Sequence, residues 1–275
     1  MPDLGTCRVY LFTPGNRPDR FAKAAASGAD AVILDLEDAV SLADKDQARA
    51  HLVAYFRKEK PQQIFGLRVN NIHTPPGVRD LDALVTSGIR PDFIVLPKVE
   101  SAFEVRLYAK LLGDIALFCT IESARGLEAA FDIANAHPSV QALGFGGADL
   151  AVDLRAELAW EPMLWGRGRI VQAAASAEIA AVDVPHVVLD DEAGLRSDAA
   201  RARAMGFSAK LAIHPKQLGP ILEAFTPTPA EIERAAAIVA AYAAAGGNVV
   251  EYQGKMVEGP IVKSAQRLLA LAKAR

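Results

Sequence analysis

The chain carries only two cysteines, Cys7 and Cys119, and both fall in apolar, strand-like runs. Two such residues make no disulfide framework, so a reducing setting is expected. The five histidines are scattered, and neither C-x-x-C nor H-E-x-x-H occurs, which leaves no recognisable zinc site. Neither sign of charge dominates: the net charge is −3, with acids and bases interspersed. Without a basic stripe or interleaved aromatics, nucleic acid is not an expected partner. The longest alanine-rich run, 235–245, is too short to span a bilayer, so no membrane association is expected. Residues 1–7 show no charged region leading into an apolar one, so no signal peptide is expected. These absences predict a soluble, cytoplasmic protein.

What is present is a long alternation of short apolar runs and amphipathic stretches. Strands are predicted at 8–12, 31–34, 64–69, 93–96, 115–120, 140–144, 180–184 and 208–213. Helical patterns fill the gaps at 18–27, 44–58, 77–87, 101–112, 123–136, 163–177, 190–205 and 215–224. Buried strands separated by helices are the mark of a parallel sheet. Eight of them within 275 residues, 51% of them apolar, predict an α/β fold of the TIM (β/α)8 barrel type. A doubly wound open sheet is the alternative, but Thr13-Pro-Gly-Asn-Arg17 after the first strand is not the glycine-rich dinucleotide turn. After residue 225 the texture changes. Thr226-Pro-Thr-Pro229 is a stiff break, followed by helices at 230–245 and 259–273 and a short strand at 249–252. The expected organisation is a barrel domain, 1–225, and a C-terminal helical arm, 226–275, that packs on a neighbouring subunit.

In such barrels the reacting groups sit just past the C-terminal ends of strands. Those positions here are rich in charge. Asp35, Glu37 and Asp38 follow the second strand, Arg68 and Asn70 end the third, and Lys98 follows the fourth. Glu122 follows the fifth, Asp149 the sixth, and His214 the eighth. Glu122 and Asp149 come from adjacent strands, and two carboxylates completed by water and substrate oxygens suit Mg2+. Each acid alone also fits a helix cap, since Glu122 precedes Ser123 and Asp149 follows a glycine-rich turn. Their matched positions favour the metal. A guanidinium at Arg68 can clamp a carboxylate or an enolate oxygen, or pair with Asp35 or Asp38, and both roles can hold together. Lys98 can neutralise the acids, and His214 reads as an orienting hydrogen-bond partner. Asp35, Glu37 and Asp38 are expected behind the metal ligands, holding Arg68 and Lys98 and ordering water.

Seven stations in order resemble the citrate lyase β-subunit-like family of the HpcH/HpaI aldolase superfamily, which includes malyl-CoA and citramalyl-CoA lyases. They are Leu11-Phe-Thr-Pro-Gly-Asn-Arg17, Leu34-Asp-Leu-Glu-Asp-Ala-Val40, Arg68-Val-Asn70, Leu96-Pro-Lys98, Ile121-Glu-Ser123, Gly146-Gly-Ala-Asp149 and Lys210-Leu-Ala-Ile-His-Pro-Lys-Gln217. The resemblance spans nearly the whole chain. It implies an Mg2+-dependent enzyme that makes or breaks a carbon–carbon bond between an acyl-CoA thioester and a small α-keto acid, assembled as a homotrimer or homohexamer. Glu122 and Asp149 match the family's metal ligands, and Arg68 matches the residue that holds the keto-acid oxygen and the thioester enolate. Phe12, Arg17 and Lys23 match contacts to coenzyme A, and Ala148 matches a backbone contact to substrate. In family members the general acid is an aspartate on the C-terminal arm, which reaches into a neighbouring subunit's site. Here Glu258 stands in its place, one methylene longer. A displacement of about 1 Å can cost about a hundredfold where positioning carries the rate. Either Glu258 serves after an adjustment that Gly259-Pro260 can supply, or the activity is weakened or redirected. Two other readings stand beside the lyase: a metal-dependent aldolase acting on a free hydroxy-keto acid, and a non-catalytic acyl-CoA-binding subunit.

Overall fold

The computed structural model describes residues 3–58 and 63–274, so Met1 and Pro2 of the N-terminal stretch lie outside it. Eight strands form the barrel: β1 Val9–Pro14, β2 Ala31–Asp35, β3 Ile64–Arg68, β4 Phe93–Leu96, β5 Ala116–Ile121, β6 Val140–Phe145, β7 Ala180–Asp183 and β8 Ala209–Ala212. The helices that follow them are α1 Phe21–Ala25, α2 Lys45–Lys58, α3 Pro75–Ser87, α4 Ala102–Leu112, α5 Ala124–Glu128, α6 Ala130–Ala134, α7 Gly147–Asp153, α8 Leu164–Ser176, α9 Glu192–Met205 and α10 Leu218–Phe225. The strands pair in parallel in sequence order, and β1 closes on β8 with Val9 opposite Lys210. That closure excludes the doubly wound alternative.

Alternation along each strand decides which side chains point inward. Tyr10, Ile33, Phe93, Val95, Phe118, Val182 and Leu211 share one buried cluster, the barrel interior. Its floor is aromatic, with Tyr10 edge-on to Phe118 and Phe93 at centroid distances of 5.5 and 5.9 Å. Continuing the same alternation past the apolar layers brings Asp35, Arg68 and Glu122 to the mouth on the inward face. The packed floor below leaves these charges no way down into the barrel, so they meet one another at the top.

The helix predicted over 123–136 is two short helices, α5 and α6, meeting at Ala129. Leu127, Ala130, Ile133 and Ala134 are all buried, so the apolar pattern runs through the break without marking it. The glycine-rich stretch after β6, read as a turn, carries the helix α7 from Gly147 onward.

Two compact units divide the chain, Met1–Ala224 and Phe225–Arg275. The second holds α11 Pro229–Ala244, an antiparallel hairpin of β9 Val250–Tyr252 and β10 Lys255–Val257, and α12 Gly259–Ala274. Ala235, Ile238, Val257, Val262 and Ala265 form its core. Thr228 and Glu231 start α11 with a reciprocal capping box. The hairpin turns through Gln253 and Gly254, both at positive φ (51° and 75°), as a two-residue hairpin loop requires. No helix among the described residues is long and apolar enough to cross a membrane.

Candidate active site

Asp35 and Arg68 are the last residues of neighbouring strands and stand opposite each other in register. Each Asp35 oxygen takes one guanidinium hydrogen bond, from Nε at 2.7 Å and Nη2 at 2.6 Å. The same carboxylate accepts the backbone N–H groups of Glu37 and Ala39 at 2.8 and 3.1 Å. Arg68 also lies over the Phe12 ring, with Cζ 4.5 Å from its centroid. A two-pronged ion pair and an aromatic floor fix the guanidinium in one orientation. Burial works against the charged form of Arg68, but Asp35, by charge and by hydrogen bond, outweighs it and raises the pKa.

Five further charges surround this pair. Glu37 Oε2 is 2.9 Å from Arg68 Nη1, although no aligned hydrogen bond reaches that oxygen. Lys98 Nζ donates to Glu37 Oε1 at 2.6 Å. It also lies 3.7 Å from Asp38, and 3.9 Å from both Glu122 Oε2 and Asp149 Oδ2. Five carboxylates therefore face two cations. Burial pushes the Glu37 carboxyl up, against the pull of Arg68 and Lys98. Glu122 goes further, to about 8, first through burial and then through the charge of Glu37.

Neither acid of the expected metal pair is a helix N-cap. Ser123 caps α5, accepting from Gly126 N, and Glu122 stands before it. Asp149 lies in the first turn of α7, whose N-cap is Gly146, and its side chain is half exposed. Glu122 Oε2 is buried without a hydrogen-bond partner. A Cβ at Gly146 would run into the Glu122 side chain, so only glycine lets the two segments approach this closely. An unpartnered buried oxygen and a half-exposed carboxylate, each 3.9 Å from Lys98 Nζ, offer two oxygen ligands, which suits a hard divalent cation that keeps water or substrate ligands. No group of three His, Cys, Asp or Glu among the described residues is arranged to hold an ion.

Arg17, Lys23 and Ala148 are exposed. Arg17 is held by Asp19, at 2.9 Å from Nε and 2.8 Å from Nη2. Lys23 lies on α1, and Ala148 in the first turn of α7. His214 accepts the Lys216 N–H at 3.2 Å, a local bond at the start of a short turn of helix. Glu258 belongs to the second unit, where its carbonyl accepts the N–H groups of Ile261 and Val262 and starts α12. Asp80 was not anticipated: buried on α3, it takes Asn70 N and Nδ2 and Arg49 Nε, at 2.8, 2.7 and 2.7 Å, and so fixes the loop after Arg68. An acid on the buried face of a predicted helix was the available signal. Asn71, which donates to the Lys98 carbonyl at 3.1 Å, gave none.

A model of the HpcH/HpaI aldolase/citrate lyase family matches residues 8–215. The chain belongs to this family. Its likeness to citrate lyase subunit beta of Leuconostoc mesenteroides, 34% identical over 97% of this chain and 93% of the relative, makes it a carbon–carbon lyase, as the seven stations led one to expect. A (3S)-malyl-CoA thioesterase of Cereibacter sphaeroides is 36% identical to it, over 97% of this chain and 95% of the relative. An L-malyl-CoA/beta-methylmalyl-CoA lyase of the same organism is 33% identical, over 96% and 94%. Among solved structures, CitE of Mycobacterium tuberculosis, in complex with magnesium, acetoacetate and coenzyme A, aligns with a TM-score of 0.84 at 33% identity, covering 98% of this chain and all of that one.

Proposed function

We propose that this family member is an Mg2+-dependent lyase that cleaves a 3-hydroxyacyl-CoA of the malyl-CoA or citramalyl-CoA type into an acyl-CoA and an α-keto acid. The observation that carries the proposal is the buried, unpartnered oxygen of Glu122 facing Asp149 beside a guanidinium fixed by Asp35. Glu122 and Asp149 would hold the ion, which would supply Lewis-acid stabilisation of negative charge on the substrate's oxygens. The hydroxyl passes its proton to water at the open rim and becomes the keto oxygen. The carbon–carbon bond breaks, its electron pair passes into the thioester enolate, and the enolate carbon then takes a proton.

Arg68 acts on the charge that grows as the bond breaks. Its position is set before substrate arrives, so it stabilises the enolate without reorganising, an effect worth about 10²–10³ in rate for one donor. Asp35 and Phe12 keep it in place. Asp38, exposed at the rim within 3.8 Å of Arg68 and 3.7 Å of Lys98, orders water and these cations. Arg17 and Lys23, exposed on the segment after β1, meet the phosphates of coenzyme A, and phosphate displaces Asp19 from Arg17. The Ala148 N–H, in the first turn of α7, donates to the substrate carboxylate. Glu258 protonates the enolate carbon, delivered by the C-terminal unit of a neighbouring copy in a homotrimer or homohexamer.

The relative named as a malyl-CoA thioesterase favours a second reading, hydrolysis of the same thioester. Product analysis separates the two. With Mg2+ and malyl-CoA or citramalyl-CoA, the lyase releases a keto acid and leaves the shorter acyl-CoA intact, and EDTA stops it. Free coenzyme A with an uncleaved hydroxy acid would establish the thioesterase instead.

A further inference from the structure

Lys98 does not sit where a lysine after a barrel strand falls by default. Its φ is +52°, a left-handed conformation that is unfavourable for a non-glycine residue. The neighbourhood enforces it: Asn71 Nδ2 donates to the Lys98 carbonyl at 3.1 Å, and Val99 N donates to the Thr120 carbonyl at 3.2 Å. Backbone strain that persists at a cluster of charges points to a function for the side chain it aims. The ammonium is aimed into the gap between the two acids. It is 3.9 Å from Glu122 Oε2 and 3.9 Å from Asp149 Oδ2, while Glu37 anchors it at 2.6 Å. Glu122, with only 5% of its side chain exposed, turns its unpartnered oxygen toward that point.

We propose that Lys98, anchored by Glu37, is a tethered cation that shares with the divalent ion the electrostatic position between Glu122 and Asp149, so that Mg2+ binds against its charge. The inference rests on the Glu122–Asp149 metal reading and adds to it a positioning residue that sets metal affinity. In the metal-free protein Lys98 offsets the repulsion among five carboxylates. Once Mg2+ is bound, the same ammonium faces a dication, so the fixed charge opposes the metal at every step. The ion is therefore held weakly by the protein alone. A substrate carboxylate that brings further negative charge strengthens its binding, which ties metal and substrate together.

Calorimetric titration of MgCl2 into the metal-free protein tests this without reference to turnover. Lys98→Met removes the charge and keeps the stem. Lys98→Asn removes it in a residue that tolerates left-handed backbone, and so guards against misfolding. Both are expected to bind Mg2+ at least about tenfold tighter than wild type, while Lys98→Arg stays near wild type. The Mg2+ dependence of the melting temperature reports the same order. Unchanged or weaker binding in both neutral variants, with binding lost in Glu122→Gln, would overturn the role of Lys98 and leave the metal site standing. Mg2+ binding to none of the proteins, neutral variants included, would overturn both.

Discussion

Two charge clusters lie on barrel strands, one buried and one at the mouth, and they are built to opposite rules. On the outer side of β7 and β8, Asp183 takes Lys210 Nζ at 2.5 Å and Arg167 Nε at 3.0 Å. Lys210 also reaches the Val184 carbonyl at 2.7 Å. Arg167 is closed in by the rings of Phe145 and Trp160, at 4.9 and 4.3 Å. Here both oxygens of a single acid are taken by cations, although Arg167 Nη1 is left without a hydrogen bond, and Asp183 and Lys210 alternate with inward-facing residues of their strands. At the mouth, five acids share two cations, and oxygens of Glu37 and Glu122 are left without hydrogen bonds. A cluster that closes the balance of its acid serves the fold. One that leaves it open, on the inward face, has a place for something the chain does not supply.

The contrast breaks most visibly at the metal ligands. Asp149→Asn is expected to lower turnover by about 10³ or more, since a Lewis acid contributes several kcal/mol, and to lose Mg2+ in calorimetry. Asp38→Asn, behind the ligands, should lower turnover by about 10–100-fold while Mg2+ still binds. Equal loss of metal in both would erase the distinction between ligand and support. In the outer cluster the expected effect is on stability. Asp183→Asn leaves Lys210 and Arg167 buried without their anion and should cost about 3–5 kcal/mol in denaturant unfolding.

Titration sharpens the same contrast. Glu122 is raised from 4.5 to about 8, so the folded metal-free chain keeps a proton that the unfolded chain gives up above its ordinary carboxylate range. Its contribution therefore lowers stability as pH climbs from about 4.5 to about 8, after which the loss levels off. Mg2+ binding needs the carboxylate and should tighten about tenfold per pH unit below that value. Melting curves with and without Mg2+ across this range read both effects. The smallest change is expected at the arm: Glu258→Asp should keep or raise activity, whereas wild-type turnover in Glu258→Ala would remove the acid from that position.

The barrel was legible because buried parallel strands are short apolar runs that polar turns delimit, and the charges at their ends stand out against them. The Asp35–Arg68 pair was legible for the same reason, as neighbouring strands ending in opposite charges. Lys98 was visible as a residue but not as a position, because nothing in its side chain announces a left-handed backbone. The join at Ala129 was hidden by continuous apolar spacing, and β10 by a Gln-Gly turn that carries the φ pattern of Asn-Gly without its more familiar first residue. Which oxygen of Glu122 lacks a partner depends on packing from three strands, and no local pattern contains it.

The most direct measurement is Glu122→Gln in the metal-free protein, with melting temperature and keto-acid release from malyl-CoA or citramalyl-CoA recorded on one preparation. Removing a buried carboxylate with one oxygen left without a hydrogen bond should leave the fold at least as stable as wild type at pH 8, and no keto acid should appear with saturating Mg2+. A variant that melts lower and still releases keto acid would contradict the assignment, because Glu122 would then be part of the scaffold, as Asp183 is.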